Sequence, residues 1–267
     1  MKGMKTAQYP VFAWLRMVLL FGLWGGLSAA QPMQAPIRPA FGWGEYMKFR
    51  VHYGFVTAGY VSLQVQEEPV MVGSHPCYHI VGLGWTHPGF DWFYRIRDRY
   101  ETYMDTTELL TRRFNRHIVE GGFESYTETH FDQAAGQARY IDHKKRERFF
   151  EVPAGIQDVI SAFYYARSRY DAHSLQIGDR ISLRNFLDRK TFQLEAKLLS
   201  REQIKVEGVT YSALKFDLLI EEAGMITDGS TIQFWISEDE QKLPLRIESD
   251  LMIGSLKADL MEVRRME

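Results

Sequence analysis

The sequence has 267 residues, of which 45% are hydrophobic and 14% aromatic, and its formal net charge is −2. This length and hydrophobic fraction are enough for one large domain, or two small ones, with a substantial interior. A near-neutral charge without a basic block gives no reason to expect a nucleic-acid partner.

The first 30 residues have the layout of a secretory signal peptide. Lys2, Lys5 and Arg16 precede the apolar run MVLLFGLWGGLSAA, which ends in small residues. This run is shorter than the roughly 20 apolar residues of a membrane-spanning helix, and glycines interrupt it. We expect cleavage near Ala30, so that the mature protein does not span the membrane. Retention of the segment as an anchor is the alternative.

The rest of the chain is predicted to form one domain. Residues 31–42 are rich in Pro and Gln and predict an extended lead-in, whereas residues 43–267 predict a single β-rich domain. Cys77 is the only cysteine, so an exported chain would have no internal disulfide and would depend on its core for stability.

Strand patterns begin at Glu45. In EYMKFRVHY, apolar and polar side chains alternate, and after GFVTAG the alternation resumes at Val61, Leu63 and Val65. This pattern predicts a hairpin that opens an antiparallel sheet. Similar alternation recurs in CYHIVGLGW, YRIRDRYETYM, LTRRFNRHIVE, FESYTETHFD and GQARYID, and again from RISLRNFLD to SLKADLMEV.

One segment has a helical period instead. GIQDVISAFYYARSRY places Ile156, Ile160, Phe163 and Arg167 on one helical face, which predicts an amphipathic helix near 156–169. We therefore predict a mainly β fold: a curved antiparallel sheet, half-barrel or barrel-like, with one inserted helix. The alternation does not distinguish a barrel from two packed sheets. The helix could fill the concave face or close only one end, and the second arrangement leaves a cavity.

Three blocks of the sequence carry a family resemblance. GEYMKFRVHYGFVTAGYVSLQV, QDVISAFYYAR and FWISEDEQKLPLRIESDLMIGSLKADL resemble, in this order, an exported bacterial family catalogued as domain of unknown function 3108. The resemblance extends from Gly44 to Val263. It implies a mostly β protein of the Gram-negative envelope, located in the periplasm, and it implies no activity. The architecture is also similar to that of periplasmic lipoprotein carriers, whose half-open barrel holds acyl chains.

Two acidic clusters are candidate metal sites. Glu238, Asp239 and Glu240 lie between two alternating runs, so we interpret them as a hairpin turn whose side chains diverge. Glu128, His130 and Asp132 would share one face of a strand, as metal ligands could. A solvated polar sheet face explains them without a ligand and is the interpretation we favour, so we predict neither a metal nor a cofactor.

The sequence contains no recognisable nucleophile motif. Cys77 lies between His75 and His79, but cysteines are commonly buried, and we interpret this one as structural. No Gly-x-Ser-x-Gly, phosphate-binding glycine loop or Cys-x-x-Cys occurs.

Aromatic and basic side chains supply the remaining candidates. The segment GWTHPGFDWFY could plug a barrel or cover an apolar ligand, and the candidate ligand-lining residues are Trp85, Phe90, Trp92, Phe93, Tyr94 and Tyr164. Arg95, Arg97 and Arg99 alternate on one strand face, where they could bind a partner or form cross-strand ion pairs.

We therefore expect a non-enzymatic periplasmic binding or interaction protein, possible ligands being lipid-like or other apolar molecules. One alternative is an envelope assembly or structural factor that contacts an envelope protein partner through its outer surface. Another is a hydrolase with an unrecognised site, in which His130 and Asp132 would take part.

Overall fold

The computed structural model describes residues 39–222, 225–226, 232–250 and 254–265. The predicted signal peptide lies outside the described residues, as does most of the predicted lead-in. The α-helix, α1, is Val159–Arg169, and a short 3-10 turn is Pro88–Phe90. The strands are β1 Tyr46–Tyr53, β2 Val56–Val65, β3 Val70–Val72, β4 His75–Thr86, β5 Arg97–Asp105, β6 Thr111–Glu120, β7 Phe123–Asp132, β8 Gln137–Ile141, β9 Glu147–Glu151, β10 Arg180–Leu187, β11 Lys190–Val206, β12 Val209–Glu222, β13 Met225–Ile226, β14 Ile232–Ser237, β15 Pro244–Asp250 and β16 Ser255–Arg264.

All these strands belong to one antiparallel sheet. Its order is β10-β11-β12-β14-β15-β16-β1-β2-β4-β5-β6-β7-β8-β9, with β3 paired to β4 and β13 to β12. The two edge strands, β9 and β10, do not share a ladder in the described chain, so the sheet is not closed. The predicted fold, a mainly β, barrel-like antiparallel sheet with one inserted helix, is confirmed.

Side chains and a short segment span the gap between the edge strands. The ring of Phe186 in β10 lies 5.5 Å from Phe150 in β9 and 5.9 Å from Phe131 in β7. The backbone of Gln157 bonds to β10, since its N–H donates to Arg184 O (2.9 Å) and its carbonyl accepts from Phe186 N (2.9 Å). The sheet therefore curls until its two edges approach each other.

The strand register defines an inner face. Phe49 pairs with Val61 on one side and Leu260 on the other, so these alternate positions project to the same side of the sheet. The helix lies on this side: a Cβ added at Gly82 would meet Ile160 Cδ1 at 3.2 Å. Phe163 packs against both hydrophobic clusters of the interior, the larger of which contains residues from both halves of the sheet. The inner face is therefore concave around the helix.

Helix α1 begins at a buried capping box. Asp158 accepts from the backbone N–H groups of Ile160 (2.8 Å) and Ser161 (2.9 Å), and Ser161 Oγ accepts from Asp158 N–H (2.9 Å). The predicted helix near 156–169 thus starts later, at Val159, because Asp158 has extended backbone and caps the helix.

The helix crosses one end of the curled sheet. Before its start, Gln157 Nε2 donates to Leu109 O (3.0 Å) in the β5–β6 turn. Near the other end of the helix, Arg167 donates to Gln241 O (2.9 Å) in the β14–β15 turn. Lys242 Nζ of the same turn donates to Arg167 O (3.0 Å). We call this the closed end. The opposite, open end carries the β1–β2, β4–β5, β6–β7 and β8–β9 hairpins.

A buried ion pair fixes the helix at the closed end. Both carboxylate oxygens of Glu45 accept from the Arg167 guanidinium, at 2.7 and 3.1 Å, and both side chains are almost fully buried. Arg265 Nη2 also contacts Glu45, at 2.8 Å. Arg167 lies in the last turn of α1, where the helix dipole favours a cation, but its main partner is this carboxylate.

Candidate functional site

Burial of the inner face changes along each strand. In β1, Met47 at the closed end is fully buried and Phe49 is 5% exposed, whereas Val51 is half-buried and Tyr53 is 42% exposed at the open end. All four alternate positions point inward, so the apolar surface is dry where the helix covers it and partly accessible beyond the helix.

Strands β11 and β12 repeat this gradient, whereas in β14 the inner-face Ile232, which lies towards the open end, is buried. In β12, Leu214 and Phe216 are buried and Leu218 is half-buried; in β11, Leu198 is buried and Leu194 is half-buried. The inner-face apolar residues that are half-buried include Val51, Val61, Leu183, Leu194, Leu218, Phe234, Ile247 and Leu256. We call this set the apolar wall.

Polar groups lie on the opposite arm of the same concave face. Tyr100 of β5 pairs with Arg116 of β6, and the guanidinium lies 5.8 Å from the tyrosine ring. Arg116 also donates to Asp188 in the β10–β11 turn. Burial raises the pKa of the Tyr100 hydroxyl, which therefore stays protonated at neutral pH. The concave face thus combines an apolar wall with a small polar group, an arrangement suited to an amphipathic molecule.

The structure separates the predicted ligand-lining residues. Tyr164 is fully buried at the closed end, with its ring 4.7 Å from that of Phe41. Trp85 lies on the outer face, where it packs 5.7 Å from Tyr60 with Lys48 above both rings.

The remaining aromatics of this set lie in the β4–β5 hairpin at the open end. Trp92 and Phe93 are exposed, whereas Phe90 and Tyr94 are half-buried. Contact of these side chains with a ligand stays a prediction. The apolar wall is a set of residues that the sequence analysis did not identify.

The predicted arginine stripe is largely engaged in ion pairs. Arg97 contacts Asp91, and Arg99 Nη2 lies 2.6 Å from Glu101 Oε1. The pairing of Arg97, together with the Thr86 hydroxyl, lowers the pKa of Asp91. Arg95 precedes β5 and is exposed beside the aromatic hairpin.

The acidic turn is confirmed as a turn. Asp239 Oδ1 accepts from the backbone N–H groups of Gln241 (2.9 Å) and Lys242 (3.0 Å), and Glu238 pairs with Arg201. These carboxylates therefore bind different partners and do not converge on one point.

The second acidic cluster, Glu128, His130 and Asp132, does not bind a common partner. His130 contacts Glu128, whereas Asp132 Oδ1 accepts from Ala134 N (3.1 Å) and Ala135 N (2.9 Å) at the β7–β8 turn. Within the ranges that the structure describes, no group of three or more His, Cys, Asp or Glu side chains could hold a metal ion.

Cys77 has the environment of a structural thiol. It is fully buried, and desolvation together with the charge of Asp105 raises the pKa of its thiol to about 11. His79 lies beside Glu101 Oε1 (3.1 Å), but burial is the largest influence on its ring and lowers its pKa. A thiol that is protonated at neutral pH is a poor nucleophile.

These observations define an open, barrel-like antiparallel β protein with a helix across one end and a partly accessible apolar concavity at the other. The chain belongs to the family described as "Protein of unknown function (DUF3108)", whose sequence profile matches residues 48–261. No curated protein matches the chain.

One solved structure supports the fold. The β-barrel-like DUF1849 protein of Brucella abortus is 10% identical with a TM-score of 0.58, and the match covers 85% of this chain and 99% of that one. A candidate lipoprotein of Parabacteroides distasonis is 11% identical with a TM-score of 0.36, over 86% and 100% of the two chains. A candidate exported protein of Bacteroides fragilis with a YmcC-like fold is 10% identical with a TM-score of 0.33, over 86% and 100%. The last two scores are too low to support an argument.

Within the ranges that the structure describes, no helix is both long enough and apolar enough to span a membrane.

Proposed function

We propose that this protein is an exported, non-enzymatic binding protein that holds an apolar or lipid-like ligand against the apolar wall. The observation that carries the proposal is the burial gradient along β1, β11 and β12: on these strands the inner face is buried at the closed end and half-accessible towards the open end. An apolar concave surface that is left accessible is a common feature of small-molecule sites.

The position of the helix supports this proposal. Because α1 crosses the closed end, it covers Met47 and Ile80 but leaves Val51, Leu194 and Leu218 accessible. The edges of β9 and β10 share no strand ladder, and the gap between them is spanned by side-chain packing and by the backbone hydrogen bonds of Gln157 to β10.

The polar groups of Tyr100 and Arg116 suggest the chemical class of the ligand. A guanidinium and a tyrosine hydroxyl beside an apolar wall would fit a molecule with one polar end and a hydrocarbon body. The signal-like N-terminal segment supports a periplasmic location, in which such a protein would shield an acyl chain from water.

The test measures binding of a fluorescent fatty-acid probe to the exported protein. We expect saturable binding by the wild type and strong loss in Leu194→Asp, because the new carboxylate would lie within the apolar wall. The matched control is Leu83→Asp, which makes the same replacement on the outer face of β4, where Leu83 is 37% exposed and lies opposite Arg99.

Both variants must keep the wild-type circular dichroism spectrum and a cooperative unfolding transition. Equal probe binding by wild type and Leu194→Asp would contradict the site. If Leu194→Asp does not fold, Ala258→Phe tests the same surface by reducing its free volume, and unchanged probe binding would again contradict the proposal.

A further inference from the structure

The open end carries exposed aromatic side chains on three neighbouring hairpins. Phe55 in the β1–β2 turn is 95% exposed, Trp92 and Phe93 in the β4–β5 hairpin are 84% and 63% exposed, and Phe123 at the β6–β7 turn is 48% exposed. Alternate hairpins of an antiparallel meander emerge at the same end of the sheet, so these side chains lie along one edge.

Local contacts hold this edge together. His87 N–H donates to Ala58 O (2.8 Å), which ties the β4–β5 hairpin to β2, and Gly121 N–H donates to Arg95 O (2.8 Å), which ties it to the β6–β7 turn. A Cβ added at Gly121 would lie 3.1 Å from the Tyr94 ring. The three hairpins therefore form one continuous surface.

The outward position of Trp92 is fixed. Its indole Nε1–H donates to Gly89 O (2.9 Å), and its ring makes an edge contact with Phe93 at 5.9 Å. The preceding 3-10 turn is capped by His87, whose ring accepts from Gly89 N–H (3.1 Å). These bonds direct a large apolar ring towards solvent, although surfaces that only meet water seldom group such rings together.

Exposed cations continue the same edge. The β8–β9 turn carries Lys144, Lys145 and Arg146, and Arg95 lies next to the aromatic hairpin. Lys145 Nζ lies 5.6 Å from the ring of Tyr126 in β7, which joins this turn to the neighbouring strands.

Two acidic side chains of this edge are paired with arginines: Asp142 accepts from Arg146 Nε (2.7 Å), and Asp91 pairs with Arg97. Glu124 contacts His117 Nε2 (2.8 Å). Because Arg95, Lys144 and Lys145 add to these pairs, the exposed charge beside the aromatics is mainly positive, in a chain whose formal net charge is −2.

We propose that these four hairpin tips, which we call the rim, dock onto an anionic phospholipid surface. Aromatic rings flanked by Lys and Arg are the side chains that settle at the membrane–water boundary, where the rings enter the headgroup layer and the cations meet phosphates. Docking through the rim would bring the mouth of the concave face against the bilayer. The proposal rests on surface residues and stands apart from ligand binding.

The test is co-sedimentation of the exported, purified protein with phosphatidylcholine vesicles prepared with and without phosphatidylglycerol. We expect binding that requires phosphatidylglycerol and weakens with added salt. Lys144→Gln with Lys145→Gln should weaken binding about 25-fold, because each cation near an anionic surface contributes a factor of about five. Trp92→Ser with Phe93→Ser should weaken it at least about tenfold, since two exposed rings no longer enter the interface.

Matched controls lie away from the rim. Val209→Ser removes a 52% exposed apolar side chain from the start of β12, and Lys205→Gln removes an exposed cation from the β11–β12 hairpin at the opposite end. Both should bind vesicles as the wild type does. The probe assay without vesicles should be unaffected by Lys144→Gln with Lys145→Gln, so a failure of docking can be distinguished from a failure of ligand binding.

Absence of vesicle binding would overturn the proposal, as would binding that rim and control variants share equally. Capture of an envelope protein through the rim, without affinity for vesicles, would also overturn it and would assign the rim to a protein partner.

Discussion

The buried ion pair between Arg167 and Glu45 gives a sharp prediction about stability. Replacing Arg167 by Met keeps the hydrophobic stem but removes four bonds, two to Glu45 and one each to Ala40 O and Gln241 O. Breaking a buried pair from one side typically costs about 3–5 kcal/mol, because the remaining charge stays buried. Arg265 remains 2.8 Å from Glu45, so we expect the lower part of this range, about 3 kcal/mol.

Equilibrium urea unfolding, followed by tryptophan fluorescence, measures this cost. For a domain of this size, about 3 kcal/mol corresponds to a midpoint lower by about 1 M urea. Glu45→Gln should also destabilise, and the double variant should lose about 1–3 kcal/mol less than the sum of the two, since the charges are coupled. Arg139→Met is the control, because its pair with Glu147 (3.3 Å) is exposed and should contribute about 1 kcal/mol or less.

The reasoning would be refuted if Arg167→Met cost no more than Arg139→Met. Strict additivity of the Glu45 and Arg167 replacements would also refute it, because it would show that the two charges do not interact.

Three further predictions concern the helix, the sheet and the thiol. Burial raises the pKa of Asp158, so the folded state favours the protonated carboxyl group. The stability that this preference contributes is complete below the usual pKa of 3.8 and is lost as the pH rises through the pKa of Asp158 in the folded protein. Asp158→Asn should therefore reduce the stability difference between acidic and neutral urea titrations, and an unchanged difference would be contrary evidence. Gly82→Ala should destabilise the fold by about 1–3 kcal/mol, because the new methyl group would meet Ile160 and Leu63 at 3.2 and 3.3 Å. The control is Gly122→Ala, where the new methyl group would enter open space. Similar shifts in melting temperature for both variants would argue against the position of the helix. Cys77 should react with a thiol reagent at mildly alkaline pH only after unfolding, given its burial and its pKa of about 11, and rapid reaction of the native protein would show that the site is open.

The fold was largely predictable because strand and helix periods are local properties. Alternation in β1 and β2 identified a hairpin, and the spacing of Ile160 and Phe163 identified α1. The start of the helix was predicted too early because Ile156 fits the helical stripe, although Asp158 caps the helix and Ile156 packs in the interior before it.

The site was less predictable because it depends on where the helix crosses the sheet. Alternation placed Val51 and Val61 on a buried face, but only the three-dimensional arrangement shows that α1 leaves this part of the face uncovered. Likewise, Trp85 and Trp92 are close in sequence yet lie on the outer face and at a hairpin tip, respectively. Sequence could identify aromatic enrichment, but not the surface on which each ring lies.

The central claim, that the accessible apolar wall holds a ligand, is tested most directly by native mass spectrometry of the protein purified from the periplasm without detergent, followed by lipid extraction. We expect a co-purifying acyl or other amphipathic molecule at a defined stoichiometry in the wild type and in Leu83→Asp, and its loss in Leu194→Asp. A wild-type protein that is uniformly free of ligand, or an identical ligand content in both variants, would contradict the account.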